Sequence, residues 1–254
     1  MLIIKNLTKK YEVQSGILKK KKTYKLALNN INLELTNGLY GLLGPNGAGK
    51  STLINIITGG LKQTKGSVIW NGKSIHSLGI KYRKILGYMP QQQNLYDSFS
   101  GKQFLSYMAA LKKIETSLVE SEVLRVSDSV NLTKELDKKL GAYSGGMKQR
   151  LLAAAAIMGS PQLLIMDEPT AGLDPKERVR LRQLLSNISK NSIVIVATHV
   201  VSDVETVADK IILLKEGKIV DVDTPERLIE KYAKGEGLEE VYLNIFGDEE
   251  WFLY

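Results

Sequence analysis

The chain has 254 residues, 43% hydrophobic and 24% charged, with no cysteine and a formal net charge of +8 from 35 Lys+Arg against 27 Asp+Glu. This composition is that of a globular protein and excludes a disulfide framework or a thiolate metal site. No apolar run approaches the ~20 residues that span a bilayer; Leu151–Met158 and Ile193–Ala197 are pieces of core length. The positive charge reads as a solubilising surface, spread along the chain except at Lys19–Lys22 with Lys25 nearby.

In chain order, Met1-Leu2-Ile3-Ile4-Lys5 reads as a strand pattern, and no leader is expected. Tyr11-Glu12-Val13 and the alternating Ile31–Leu35 read as further strands. Between them the lysine run is expected to be a solvated loop, with contact to anionic lipid headgroups as the alternative.

Leu39–Leu43 is an apolar run followed by Gly44-Pro45-Asn46-Gly47-Ala48-Gly49-Lys50-Ser51-Thr52. This segment matches G-x-x-x-x-G-K-[ST], the phosphate-binding loop of nucleoside triphosphatases. A helix is expected over Ser51–Ile57, so the motif has its strand–turn–helix context. The glycines let the backbone approach a ligand, and the helix N-terminus adds about half a positive charge facing an anion. Lys50 can reach the β- and γ-phosphates and the Ser51 hydroxyl can ligate Mg²⁺. The loop alone does not separate a kinase, a GTPase and an ATPase.

Gly66–Gly72 reads as a strand ending in an Asn71-Gly72 turn, and Leu86–Gln93 as a strand and a Pro-Gln break. From about Phe99 to Asp137 the pattern is helical, an insertion with little strand character. Tyr143–Arg150 opens a helix that continues through Met158, its small residues forming a second anion-compatible helix start.

Leu163–Met166 is a buried-strand pattern ending in Asp167-Glu168. Such a strand delivers two carboxylates to a sheet edge, Asp167 to hold Mg²⁺ and Glu168 to orient or deprotonate a water. Asp174-Pro175 caps a helix with Leu181, Leu184, Leu185 and Ile188 in register, and Ile193–Ala197 is another strand. Ile211–Leu214 and Lys218–Val222 form a hairpin around Glu216-Gly217, and Thr224-Pro225 starts one more helix. The segment from Gly237, ending in Trp251-Phe252-Leu253-Tyr254, is apolar for a tail and is expected to pack on its own domain.

Taken together, the motifs resemble those of the ATP-binding subunit of an ABC transporter, most closely a bacterial exporter whose membrane part is a separate polypeptide. The phosphate loop is followed by a Q-loop Gln91, a signature Tyr143-Ser144-Gly145-Gly146-Met147, the Asp167-Glu168 pair, a D-loop Ala171–Asp174 and an H-loop His199. The resemblance implies an α/β fold: a P-loop NTPase (RecA-like) core with an antiparallel β subdomain and a helical signature subdomain. It implies an ATPase domain over residues 1–230, with core at about 1–92 and 155–222, helical subdomain at about 93–154, and 231–254 as a short C-terminal extension.

It further implies that Tyr11 stacks on adenine, with Tyr24 as the rival because the basic stretch before Ala27 is long. Gly44 through Thr52 would hold the phosphates of ATP, with Ser51, Gln91 and Asp167 on Mg²⁺. Glu168 would be the catalytic base and His199 the contact to the γ-phosphate, with Lys50 completing the catalytic set. Ser144, Gly145 and Gly146 would face the ATP of a second subunit in a homodimer or heterodimer, and Asp174 would link the two sites. Met147 and Tyr143 depart from the common signature, while Ser144-Gly145-Gly146 is intact. The implied partner is an integral membrane permease and the implied address is the cytoplasmic face of the cell membrane. A soluble ABC-type ATPase in cofactor assembly or on nucleic acid is the alternative, nucleic acid being disfavoured because the chain has neither a long coiled coil nor a second ATPase domain.

Overall fold

The computed structural model describes residues 1–14, 22–92 and 95–247. In chain order the elements are β1 (Leu2–Gln14), β2 (Lys22–Leu35), β3 (Gly38–Leu43), α1 (Lys50–Ile57), β4 (Lys65–Trp70), β5 (Lys73–Ser74), α2 (Ile75–Leu78), α3 (Ile80–Ile85) and β6 (Leu86–Met89). They continue as α4 (Gly101–Leu111), α5 (Val119–Ser129), α6 (Gly145–Ile157), β7 (Leu163–Asp167), α7 (Pro175–Ser189), β8 (Ile193–Ala197), β9 (Lys210–Lys215), β10 (Lys218–Asp223), α8 (Pro225–Ala233) and α9 (Leu238–Phe246). The chain divides into two compact units: residues 1–36, 40–83 and 199–254, and residues 37–39 with 84–198.

In the first unit β1 pairs antiparallel with both β2 and β4, and β5 pairs with β4. Leu2, Ile4 and Leu7 turn inward with Leu28, Ile31, Leu33 and Leu35 across from them. The three short strands expected before residue 36 are thus parts of two long ones. Register shifts between Ile4 and Lys10 break the alternation that a sequence pattern relies on, so β1 does not read as one strand. Lys19–Lys21 lie outside the described residues.

Also in this unit, Tyr40–Leu43 of β3 run parallel to Lys210–Leu213 of β9, and β9 folds back on β10. Glu216 and Gly217, both at positive φ (47° and 70°), make the two-residue turn expected there. The expected apolar stripe of α1 is realised, with Leu53, Ile54, Ile56 and Ile57 buried. The segment from Gly237 forms α9, which buries Leu238, Val241 and Phe246 and packs on α8. Its entry is fixed by the Glu205 carboxylate, which accepts from Leu238 N–H at 2.9 Å. Trp251–Tyr254 lie outside the described residues.

The second unit carries a parallel sheet of β6, β7 and β8, in the order 6-7-8. β7 and β8 are buried throughout, which is why they read as unbroken apolar runs rather than alternating ones. Between β6 and β7 lie α4, α5 and α6, the expected helical insertion. Ser100 opens α4 with a capping box, accepting from Gln103 N–H while the Gln103 side chain accepts from Ser100 N–H. The face of α4 that is buried holds Phe104, Leu105 and Ala109, leaving Tyr107 and Leu111 exposed. Asp174 caps α7 by accepting from Glu177 N–H at 3.0 Å, with Pro175 at the first helical position.

Candidate functional site

In the first unit the loop from Gly44 to Gly49 joins β3 to α1. Gly44 is held so closely that a Cβ there would lie 2.2 Å from the Leu214 carbonyl oxygen. Gly49, the N-cap at φ 110°, would bring a Cβ to 2.7 Å from the Ala27 carbonyl oxygen. Both positions therefore require glycine on steric grounds, and Gly49 on torsional grounds as well. The Ala48 carbonyl accepts from Gly217 N–H at 2.8 Å, and the Gly217 carbonyl accepts from Asn29 N–H at 2.8 Å. The β9–β10 turn thus ties the loop to β2.

Lys50 is 9% exposed, and its ammonium donates to the carbonyls of Gly44 at 2.5 Å and Pro45 at 3.1 Å. The charge is held over the loop's own concavity, beside a helix start whose first N–H groups have no intrahelical acceptor. Ser51 is exposed at the first turn of α1, and Thr52 behind it lies 3.4 Å, hydroxyl to hydroxyl, from Tyr11. In the β1–β2 ladder Tyr11 faces Lys25 and Glu12 faces Tyr24. Successive strand residues point to opposite faces, so Tyr11 and Tyr24 lie on opposite sides of the hairpin and only Tyr11 reaches the α1 side. The Lys9 ammonium sits 5.1 Å from the Tyr11 ring centre. His199, exposed, begins the last segment of this unit.

The second unit holds Gln91, Ser144–Gly146, Asp167, Glu168 and Asp174. Asp167 and Glu168 are 6% and 7% exposed at the end of β7. Glu168 has φ 51°, a left-handed conformation that costs a non-glycine residue about 1–3 kcal/mol. Its surroundings impose that conformation. Glu168 N–H donates to Ala197 O at 2.8 Å, and its own carbonyl accepts from Gln149 Nε2 at 2.8 Å and from Ala171 N–H at 3.3 Å. The carboxylate accepts from Thr198 Oγ1 at 3.0 Å. Burial raises the Tyr88 hydroxyl above its ordinary range, and the Asp167 charge adds to the rise.

Ser144 caps α6, its hydroxyl accepting from Met147 N–H at 3.2 Å; Ser144 and Gly145 are exposed. A Cβ on Gly146 would lie 3.1 Å from the Gly172 carbonyl oxygen, so the signature helix and the D-loop touch backbone to backbone. The far end of α6 is closed by cations: Lys112 donates to Met158 O at 2.6 Å and Arg125 to Ile157 O at 3.3 Å. Burial pushes the Lys112 ammonium down to about 8; Glu122 acts in the opposite sense and Arg125 reinforces the fall. Gln91, exposed, lines a cavity of about 540 Å³ with Leu95, Lys148 and Gln149 among its other walls.

Tyr143, where leucine is common, has a structural account. It is buried, its hydroxyl donates to Glu135 O at 2.7 Å, and burial raises its pKa, with Glu135 and Asp137 adding to the rise. Gly101 leaves it room, since a Cβ there would meet the hydroxyl at 2.3 Å. Tyr143→Phe should lower unfolding free energy by about 1 kcal/mol, the usual net worth of one hydrogen bond, without changing nucleotide affinity. Urea unfolding beside nucleotide titration checks both halves.

Sequence reasoning missed three residues that hold this chemistry in place: Thr198, Gln149 and Gly217. Gln149 and Gly217 stand inside segments it had singled out and Thr198 between two, but Thr198 and Gln149 meet Glu168 from 30 and 19 residues distant along the chain. The donor set expected for magnesium is a hydroxyl, an amide oxygen and a carboxylate, all hard oxygen ligands of the kind that ion takes. The buried Asp167 supplies the negative charge. Among the described residues no helix is long and apolar enough to cross a membrane.

A family profile described as ABC transporter matches residues 28–171. The chain is 35% identical over 235 residues to ABC transporter A family member 1 of Dictyostelium discoideum, covering 92% of this chain and 26% of that protein. It is 34% identical over 236 residues to ABC transporter A family member 5 of Arabidopsis thaliana, covering 91% and 25%. The chain spans about a quarter of the length of these curated relatives. Among solved structures, one described as an ATP-binding subunit of an ABC transporter is similar with a TM-score of 0.83 at 25% identity, over 96% of this chain and 98% of that one. A dimeric ATP-binding cassette in a post-hydrolysis state, bound to ADP and Pi, is similar with a TM-score of 0.77 at 26% identity, over 88% and 98%.

Proposed function

The chain belongs to the ABC transporter family, and on that premise we propose that it is an ATP-binding and ATP-hydrolysing subunit that powers transport, in the export direction, through a separate membrane permease. The observation that carries the ATPase reading is the buried Lys50 ammonium, held over a loop in which Gly44 and Gly49 leave no room for a Cβ. We assign residues 1–230 to the ATPase domain and 231–254 to a short extension.

The roles we assign are these, with the geometry of each unit as their support. Lys50 exchanges its two carbonyl partners for β- and γ-phosphate oxygens, and the loop amides and helix start take up the remaining charge. Ser51, Gln91 and Asp167 would hold magnesium, which when bound neutralises charge on the phosphate oxygens. Glu168 accepts the proton of the attacking water, with Thr198 fixing its carboxylate and Gln149 its backbone. His199 contacts the γ-phosphate. Ser144, Gly145 and Gly146 serve the nucleotide of a second subunit, and Asp174, through the Gly172–Gly146 contact, ties that surface to the D-loop. Support for pairing comes from the dimeric cassette to which the chain is similar. The subunit would work on the cytoplasmic face of the membrane.

Adenine stacking is assigned to Tyr11, because its hydroxyl already meets Thr52 beside the phosphate loop. Tyr11→Ala should weaken ATP binding about ten-fold, the loss of one base–aromatic stack, while Tyr24→Ala leaves it unchanged. Titration with a fluorescent adenine nucleotide tests this, and the reverse pattern would move the role to Tyr24. The transport reading is tested by purifying the tagged chain with ATP from membranes in mild detergent. A stoichiometric multi-span membrane protein is expected; soluble dimer alone would leave the ATPase and overturn transport.

A further inference from the structure

The positive charge is not spread evenly. Residues 1–96 contain 15 Lys+Arg and 2 Asp+Glu, a net charge of +13; residues 97–254 contain 20 and 25, a net of −5. From Leu35 to Tyr96 there is no acidic residue at all. The excess is almost pure lysine, Arg83 being the one arginine among the 15.

Within the first unit, contacts gather part of this charge on one surface. Lys9 donates to Lys62 O at 2.8 Å, and Lys10 N–H donates to Thr64 Oγ1 at 3.0 Å. Gln63 donates to Gly66 O at 3.2 Å and meets His76 Nε2 at 3.1 Å. In the β1–β4 ladder Lys65 stands opposite Thr8, and Lys5 opposite Ser67. Lys5, Lys9, Lys10, Lys62, Lys65 and His76 therefore surround the turn that enters β4. Among the described residues none of these lysines forms an ion pair. Lys5, Lys10, Lys62 and Lys65 are exposed. The only acids in residues 1–96 are Glu12, further along β1, and Glu34, opposite Ile3 and a diagonal step from Lys5.

We propose that this lysine surface of the β1–β4 sheet binds the anionic headgroup face of a phospholipid bilayer. Like charges kept together without counter-charges repel one another and lower the stability of the isolated fold. A dense negative plane relieves that repulsion. Lysine is a compact, strongly hydrated point charge suited to a diffuse negative surface, whereas nucleic acid recognition favours the planar fork of arginine and stacking aromatics. The aromatic at the margin, Tyr11, is the residue already assigned to adenine. The attachment is independent of any permease and of nucleotide.

The test is cosedimentation of the purified chain, without nucleotide, with phosphatidylcholine vesicles and with phosphatidylcholine–phosphatidylserine vesicles. Binding is expected only to the second, falling steeply with added salt. The triple variant Lys5→Gln, Lys62→Gln, Lys65→Gln should bind about a hundred-fold more weakly, near five-fold for each charge removed, with ATP turnover unchanged. Equal binding to neutral vesicles, wild-type binding by the triple variant, or preference for RNA over serine-containing vesicles at physiological salt would each overturn the proposal. So would a raised KM for ATP in the triple variant with vesicle binding intact, which would make the surface a nucleotide-attracting one. Turnover measured in parallel reports on the ATPase reading separately.

Discussion

Glu168→Gln is expected to cut ATP turnover on the order of a thousand-fold while leaving ATP affinity within a few-fold of wild type, the usual scale for losing a positioned general base. The substitution suits the site because the bonds that hold residue 168 are mostly made by its backbone: N–H to Ala197, carbonyl from Gln149 and Ala171. An amide oxygen can still accept from Thr198, so the left-handed turn and the carboxylate's position are kept while the proton acceptor is removed. Rapid-quench turnover and gel filtration with saturating ATP read the result. Turnover near wild type would take the base role from Glu168. A protein that stays monomeric with ATP bound would count against the proposed pairing of two subunits around nucleotide.

Lys50→Ala is expected to weaken ATP binding about a hundred-fold, the loss of two charge-assisted hydrogen bonds at about 1.5–3 kcal/mol each, partly recovered by the remaining amides. The ammonium is the one cation placed over the concavity by its own loop, and its two present acceptors, Gly44 O and Pro45 O, lie within that loop. Isothermal titration with ATP gives the affinity, and circular-dichroism melting shows whether the fold survives. An affinity within two-fold of wild type, in a folded protein, would remove Lys50 from phosphate binding.

What could be read ahead of the structure was what the chain writes contiguously. Gly44–Thr52, Leu163–Glu168 and Tyr143–Arg150 each place chemistry and local geometry in one short segment, so glycine, cap and apolar run are legible together. The buried parallel strands β7 and β8 were equally plain, since burial on both faces leaves no polar interruption. β1 was not, because its register shifts change which side chains turn inward. Nor were Thr198 and Gln149 legible as supports of Glu168: their pairing is decided by how the chain returns to β7, which no window of sequence contains. Tyr143 illustrates the same limit. As a departure from a pattern it is a question, and only the Glu135 carbonyl and the space at Gly101 answer it.

The turn at Gly217 has a consequence for how this molecule comes into being. The phosphate loop is synthesised before β9, yet the amide that holds Ala48 O belongs to a residue made after that strand. A Cβ at Gly217 would meet Ala27 O at 2.5 Å, so no bulkier residue fills that place. A nascent chain halted after Thr52 and before Gly217 carries every letter of the loop and lacks its backstop. Contacts of such long sequence separation form late. On the proposed function, nucleotide would then stabilise this domain only once the β9–β10 turn has been made.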